Sequence, residues 1–301
     1  MTLKIKIGTR ASPLALAQTQ IIAEGILKFF PYAEISIIKI KTSGDKNMAP
    51  FSSDPAGIKG MFTLELEKAL LNHEIDFAVH SLKDLPANIN KNLPVVAYSK
   101  RADPRDALVI SRKQEVGSRK FFIGSSSLRR RLQLEKIFPD KKIIPVRGNI
   151  NTRLKRLDDG EFYGLVLAAA GLKRLGLQNR ISKIFDVDEI LPAPGQGILA
   201  CQGREGENYF YLDLINDENS KYCAIAERSF AKKLNAGCNV PVGAYAFIEN
   251  EKIILRGLYI DEKTGKFYKG ILSGNIKDAE IIGKNLAERI FFDFDIIKIG
   301  K

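Results

Sequence analysis

The chain is poor in the residues that hold metals and build disulfide scaffolds. Among 301 residues there are two histidines, His73 and His80, and three cysteines, Cys201, Cys223 and Cys238. The cysteines are odd in number and none forms a CxxC pair, which argues against a disulfide framework and a zinc centre. No metal site is expected. No apolar run approaches the ~18–20 residues of a membrane-crossing helix. The N-terminus, MTLKIKIGTRASPLALAQ, carries charge throughout and has no apolar core of a signal peptide. The expected setting is therefore the cytoplasm, with no membrane association.

What the chain has in abundance is positive charge, +12 net at pH 7 with an isoelectric point near 9.5. Such a field favours anionic partners, either nucleic acid or small polycarboxylates and phosphates. The length suits two or three domains. Up to about residue 203 apolar strand segments alternate with amphipathic helical ones: 3–7, helix 13–29, 35–41, helix 62–72, 75–80, 93–98, 107–111, 121–124, 142–148, a short helix at 151–160, and 163–176. That alternation predicts an α/β fold with largely parallel pairing. Residues 41–60, rich in Gly, Pro, Ser and Asp, are expected to form a long loop. The remainder changes character, with a helix at 221–235, successive strands over 241–274 and a closing helix at 278–290, as in a small α+β domain.

The lysines scatter, but the arginines follow a rule. Arg10 and Ser12 precede helix 13–29, Arg129 and Arg130 precede the helix after strand 121–124, Arg147 ends a strand, Arg153 opens a helix, and Arg174 follows AAAGLK. Ser81 and Lys83 follow strand 75–80. In open parallel sheets the carboxyl ends of strands border the ligand crevice. Helix N-termini there offer free N–H groups to anions, and arginine adds a planar fork suited to carboxylate. A helix start otherwise disfavours cations, so Arg129 and Arg130 are expected to face a polyanion. The alternative is that each arginine pairs with an acid of the protein itself. Asp84, between Lys83 and Pro86, is either a turn cap or a carboxylate that handles protons beside cations. Cys238, in the loop NAGCNVP, is either passive or a nucleophile and attachment point. Cys201 and Cys223 are expected in the core. No nucleic-acid-binding signature is present, which leaves an enzyme or a non-catalytic anion binder; a pure binder needs neither Asp84 nor Cys238.

The stretches TRASPLALAQ, AVHSLKDLP, DPRDALV, GSSSLRRRLQL, RGNINTRL, AAAGLKRLG, LPAPGQG and AGCNVPVGAY, in this order over nearly the whole chain, resemble the porphobilinogen deaminases, also called hydroxymethylbilane synthases. The resemblance implies a transferase of tetrapyrrole biosynthesis. It would condense four porphobilinogen molecules head to tail, release ammonia, and free linear hydroxymethylbilane with water. It also implies a dipyrromethane primer bound through a thioether to Cys238. Asp84 would be the catalytic carboxylate and would also contact the cofactor, with Lys83, Ser127, Arg129 and Arg130. Arg10, Ser12, Lys59, Arg147, Arg153, Arg174 and Gln196 would bind the substrate side chains. The partners would be porphobilinogen and the growing polypyrrole, with no obligatory protein partner and a monomeric chain. The implied fold has two type II periplasmic-binding-protein-like α/β domains flanking a cleft, 1–99 with 198–217 and 103–192, and a third, α+β domain over 219–301 carrying the cofactor cysteine. The chain would cross between the first two near 99–103 and 192–197, and 42–60 would be a mobile flap. Two departures from the family pattern stand out: Ile58 in AGIKGMF replaces an expected glycine, and Ala236 precedes Gly237 where a glycine is common.

Overall fold

The computed structural model describes residues 2–41, 55–111, 122–234 and 240–299, with the backbone alone for 55–62 and 293–299. Strand β1 (Lys4–Arg10) leads into helix α1 (Pro13–Phe29). Ser12 caps that helix, its hydroxyl accepting from the Ala15 N–H at 3.3 Å, and Pro13 supplies the fixed φ of a first turn. β2 (Glu34–Ile40), helix α2 (Pro55–Leu71), β3 (Phe77–Ser81) and β4 (Val95–Tyr98) complete the first half. The expected loop over 41–60 is shorter than its composition suggests: α2 begins at Pro55, and 42–54 lie outside the described residues.

The second half holds β5 (Asp106–Ile110), β6 (Phe122–Gly124), helix α3 (Leu128–Ile137), β7 (Lys142–Ile144), helix α4 (Ile150–Asp158), β8 (Gly164–Ala168), helix α5 (Ala169–Arg174) and β9 (Lys183–Ile184). The strand expected over 142–148 stops at Ile144, because Pro145 cannot donate to a ladder. β10 (Leu199–Gln202) returns to the first half. Helix α6 (Glu218–Lys233) starts earlier than its apolar pattern, at the cap Asp217, which accepts from the Ser220 N–H at 2.7 Å. Strands β11 (Val242–Glu249), β12 (Lys252–Ile260) and β13 (Phe267–Asn275) and helix α7 (Ala279–Ile299) follow.

Two five-stranded sheets have the orders β2-β1-β3-β10-β4 and β7-β6-β8-β5-β9, and a third is the meander β11-β12-β13. Pairing is mixed rather than largely parallel. β10 runs antiparallel to both β3 and β4, and β5 runs antiparallel to both β8 and β9. The reason is topological: β5 and β10 are the strands that follow the two passages of the chain between the sheets, and each enters its sheet from the side facing the other. The result is a mixed α/β architecture of two five-stranded sheets with a small C-terminal meander. Each sheet buries its own core, Ile5, Ile7, Ile26 and Phe77 in the first and Val109, Leu157, Phe162 and Leu165 in the second. The meander packs its inner face on Phe230, Leu286 and Ile290. Its outer face rests on the second half, where Leu258 and Ile260 meet Leu132 and Leu191.

The two passages lie side by side. The Ala102 N–H donates to the Gly197 carbonyl at 3.1 Å, and the Ser99 N–H to Leu199 at 2.9 Å. Gly197 has a φ of +94°, and a Cβ there would lie 2.5 Å from the Ala102 oxygen, so a side chain is excluded by strain and by contact.

Candidate active site

The helices α1, α3 and α4 begin with side-chain caps: Ser12, Ser127 (accepting from Arg130 N–H at 3.5 Å) and Asn149 (accepting from Thr152 N–H at 2.9 Å). The first turn of α3 lies against the second passage, where Arg129 meets Leu191 and Arg130 meets Gln196. There the first cations of α3 find a carboxylate within the chain. Asp106, fully buried at the start of β5, accepts from Arg129 Nη2 and Arg130 Nη2, each at 2.7 Å, one on each oxygen. Gln196 Nε2 adds a third bond at 2.8 Å. Arg129 Nη1 donates to the Leu191 carbonyl at 2.5 Å, and the Gln196 oxygen faces Lys83 Nζ and Arg130 Nη2, both at 3.4 Å. The expectation that Arg129 and Arg130 wait for an external anion is thus corrected in part, since Asp106 already supplies one charge. Burial alone would push the Asp106 carboxyl up; the two guanidiniums overcome that and hold it well below the ordinary carboxylate range.

One carboxylate does not neutralise the cluster. Lys83, half-buried in the one-turn helix Leu82–Asp84, has its ammonium pushed down to about 8, first by burial and then by Arg130 and Arg129, against the opposing pull of Asp84 and Asp106. Arg153, half-buried in the first turn of α4, is lowered to about 10 by burial and by Arg130, with Asp84 opposing. Asp84 itself is exposed, and its charge reaches Lys83, Arg153 and the buried His80. The structure therefore brings Lys83, Asp84, Arg129, Arg130, Arg153 and Gln196 into one electrostatic group, four cations against the two carboxylates of Asp84 and Asp106. Arg129 Nε, Arg130 Nε and Ser125 Oγ are buried there with no hydrogen-bond partner among the described residues. Unmatched donors and excess positive charge fit a polycarboxylate ligand such as dipyrromethane.

Arg10 is linked to this group through His80, which its charge reaches as that of Asp84 does. Arg10 ends β1 half-buried and Arg147 is exposed between β7 and α4. Arg174, in the last turn of α5, donates to the Gly197 carbonyl at 2.7 Å, and burial alone lowers it to about 10. The side chain of Lys59 lies outside the described residues, as does Cys238. Cys201 and Cys223 are in the core as expected, and burial pushes both thiols up to about 12.

Several residues that shape the site carried no signal as site residues. Asp106 opens an apolar strand, where periodicity marks only burial. His80 sits on β3 with Nε2 buried and without a hydrogen-bond partner among the described residues, its imidazole lowered to about 4 by burial. Glu227, fully buried on α6, pairs with Arg101 at 2.8 Å and accepts from the N–H groups of Gly195 at 2.6 Å and Ala246 at 2.7 Å. It joins both passages to the third sheet, and burial raises its carboxyl despite Arg101. A charge in an amphipathic helix reads as solvated unless its tertiary partners are known.

Two family models match the chain: "Porphobilinogen deaminase, dipyromethane cofactor binding domain" over residues 5–211 and "Porphobilinogen deaminase, C-terminal domain" over 221–291. A porphobilinogen deaminase of Ruminiclostridium josui is 50% identical over 95% of this chain and 97% of its own length. One of Prochlorococcus marinus (strain MIT 9515) is 42% identical over 96% of this chain and 93% of its own. Among solved structures, the VFT2 domain of Bordetella pertussis BvgS aligns with a TM-score of 0.38 at 14% identity, covering 71% of this chain and 85% of that one. With both models and near full-length relatives agreeing, the chain belongs to the porphobilinogen deaminase family.

Proposed function

We propose that this chain joins four porphobilinogen molecules head to tail, releasing ammonia at each joining and linear hydroxymethylbilane with water at the end, at the cluster of Lys83, Asp84, Arg129, Arg130 and Arg153. The observation that carries the reading is the excess of cations, Lys83, Arg129, Arg130 and Arg153 over Asp84 and Asp106. Each pyrrole brings an acetate and a propionate, so a growing polypyrrole is the kind of anion this field would hold. Asp84, exposed at the end of its short helix, is the catalytic carboxylate. It accepts from pyrrole N–H groups and stabilises the positive charge that develops as ammonia departs. Lys83, Ser127, Arg129 and Arg130 hold the cofactor with Asp84. Arg10, Ser12, Lys59, Arg147, Arg153, Arg174 and Gln196 serve the substrate's side chains.

When bound, the dipyrromethane supplies a free pyrrole carbon to which the first substrate is joined. The attachment assigned to Cys238 is supported by chemistry: the other two thiols are buried and pushed up to about 12, where almost no thiolate exists at neutral pH. We assign 1–99 with 198–217, 103–192 and 219–301 as the three domains, and the cytoplasm as the site of action, with a monomer needing no obligatory protein partner. Among the described residues no helix is long and apolar enough to cross a membrane.

The test is the intact mass of the purified chain beside a Cys238→Ala variant, followed by incubation with porphobilinogen. A dipyrromethane's worth of added mass on the parent and none on the variant, with porphobilinogen consumed by the parent alone, is the expected result. A bare mass that stays bare after incubation, with no consumption, sinks the reading.

A further inference from the structure

The loop that bears Lys83 and Asp84 is gripped from the C-terminal domain. Arg228, on α6, donates through Nη2 to the Pro86 carbonyl at 2.5 Å, with longer contacts of 3.4 Å to Ala87 and, through Nη1, to Leu82. These acceptors flank Lys83 and Asp84 on both sides. Among the described residues Arg228 forms no ion pair; its partners are backbone oxygens, and burial lowers its guanidinium below the ordinary arginine value. A half-buried cation without a carboxylate costs stability, so its place here calls for a structural reason. The planar fork of five donors supplies one, because it can hold several carbonyls of one turn in a fixed relation.

The rest of α6 explains why the grip is local. Residues four apart share a helix face. Along one face, Ser220 accepts from the Arg101 N–H at 2.9 Å, Ala224 packs with Leu82, Leu85 and Ile198, and Arg228 comes next. The adjoining Glu227 is fastened to Arg101, Gly195 and Ala246. The helix is thus docked without Arg228, and Arg228 adds a hold on the backbone around Asp84. The same helix leads on to the segment that contains Cys238.

We propose that Arg228 is a positioning residue for the reaction: acting from the C-terminal domain, it holds the 82–87 backbone so that Asp84 meets the reacting pyrrole in register with the primer that the same domain carries. The inference rests on the porphobilinogen deaminase reading. Turnover of porphobilinogen by the parent tests that reading, whereas the ratio of variant to parent tests Arg228.

The experiment compares the parent with Arg228→Leu and Arg228→Lys by kcat, KM for porphobilinogen, intact mass and hydrogen exchange. Loss of register of order 1 Å can cost about a hundredfold in rate. The leucine variant is expected to keep its primer mass and a KM within about threefold while kcat falls by about 10- to 100-fold. Exchange should rise in peptides covering 82–87 and stay unchanged in those covering 218–233. The lysine variant, whose single ammonium cannot span the same three carbonyls, should have a kcat between those of the leucine variant and the parent. A leucine variant within about twofold of the parent in kcat, or one whose loss accompanies faster exchange throughout the chain, overturns the proposal. If leucine prevents folding, the lysine variant decides: an intermediate kcat with faster exchange confined to 82–87 supports the role, and parental values of both refute it.

Discussion

Replacing Asp106 by asparagine should reveal how the arginines at the head of α3 are held. The side chain keeps its shape, so packing in β5 is preserved. What disappears is the negative charge facing Arg129 Nη2 and Arg130 Nη2, both at 2.7 Å and both buried. One member of a buried pair lost without its partner costs about 3–5 kcal/mol, because an uncompensated charge stays in the interior. Here two guanidiniums are left facing one another, and an amide N–H competes for the space of an acceptor. A kcal/mol corresponds to about 2–4 °C in a chain of a few hundred residues, which places the fall in melting temperature at about 6–20 °C. Thermal unfolding followed by circular dichroism measures it. The decisive arm is a second variant, Arg130→Gln in the Asp106→Asn background. If charge burial is the cause, removing one stranded cation should restore part of the loss, so the two changes are strongly non-additive. An Asp106→Asn protein melting within a degree or two of the parent, or a double variant whose losses simply add, would refute the account. The acid limb gives a further check. The Asp106 carboxyl lies below its unfolded value, so its contribution is fully present above about pH 4 and fades only as pH falls through the native value. Stability lost from this pair between pH 7 and pH 5 would contradict it.

Three other outcomes follow from the same geometry. Lys83, lowered to about 8 from an ordinary 10.5, carries a penalty when protonated in the fold that is relieved as pH rises from 8 to 10.5; a bound carboxylate restores the ammonium, so at pH 8.5 polycarboxylate binding should take up a fraction of a proton, seen by calorimetry in buffers of different ionisation enthalpy and absent in Lys83→Met. Asp84→Asn should nearly abolish porphobilinogen turnover while the melting temperature stays within a few degrees, as befits an exposed side chain; near-parental activity would remove Asp84 from its assigned role. Gly197→Ala should destabilise by more than about 2 kcal/mol, from a φ of +94° and a Cβ 2.5 Å from the Ala102 oxygen; denaturant titration with an unchanged midpoint would count against the packed passages.

What the sequence by itself determined was what neighbours in the chain decide among themselves. Ser12 directly precedes the expected helix 13–29, because a cap needs only the two or three residues after it. Pro13 opens a helix for the same local reason, whereas Pro55, which also opens one, lies in a stretch whose composition reads as loop. Lys83 and Asp84 stand out as adjacent charges at the end of an apolar strand, and the eight ordered motifs point to the family. What only the tertiary structure decided was how distant residues answer one another. An apolar strand reads alike whichever way it pairs, so the reversal of β5 and β10 is invisible until the chain's two passages between the sheets are seen. Asp106 meets arginines 23 and 24 residues away, and Arg228 grips carbonyls more than 140 residues back along the chain. Local pattern marks such side chains as merely buried or merely charged. Whether a buried charge is a cost or a clamp depends on the partner that folding brings to it.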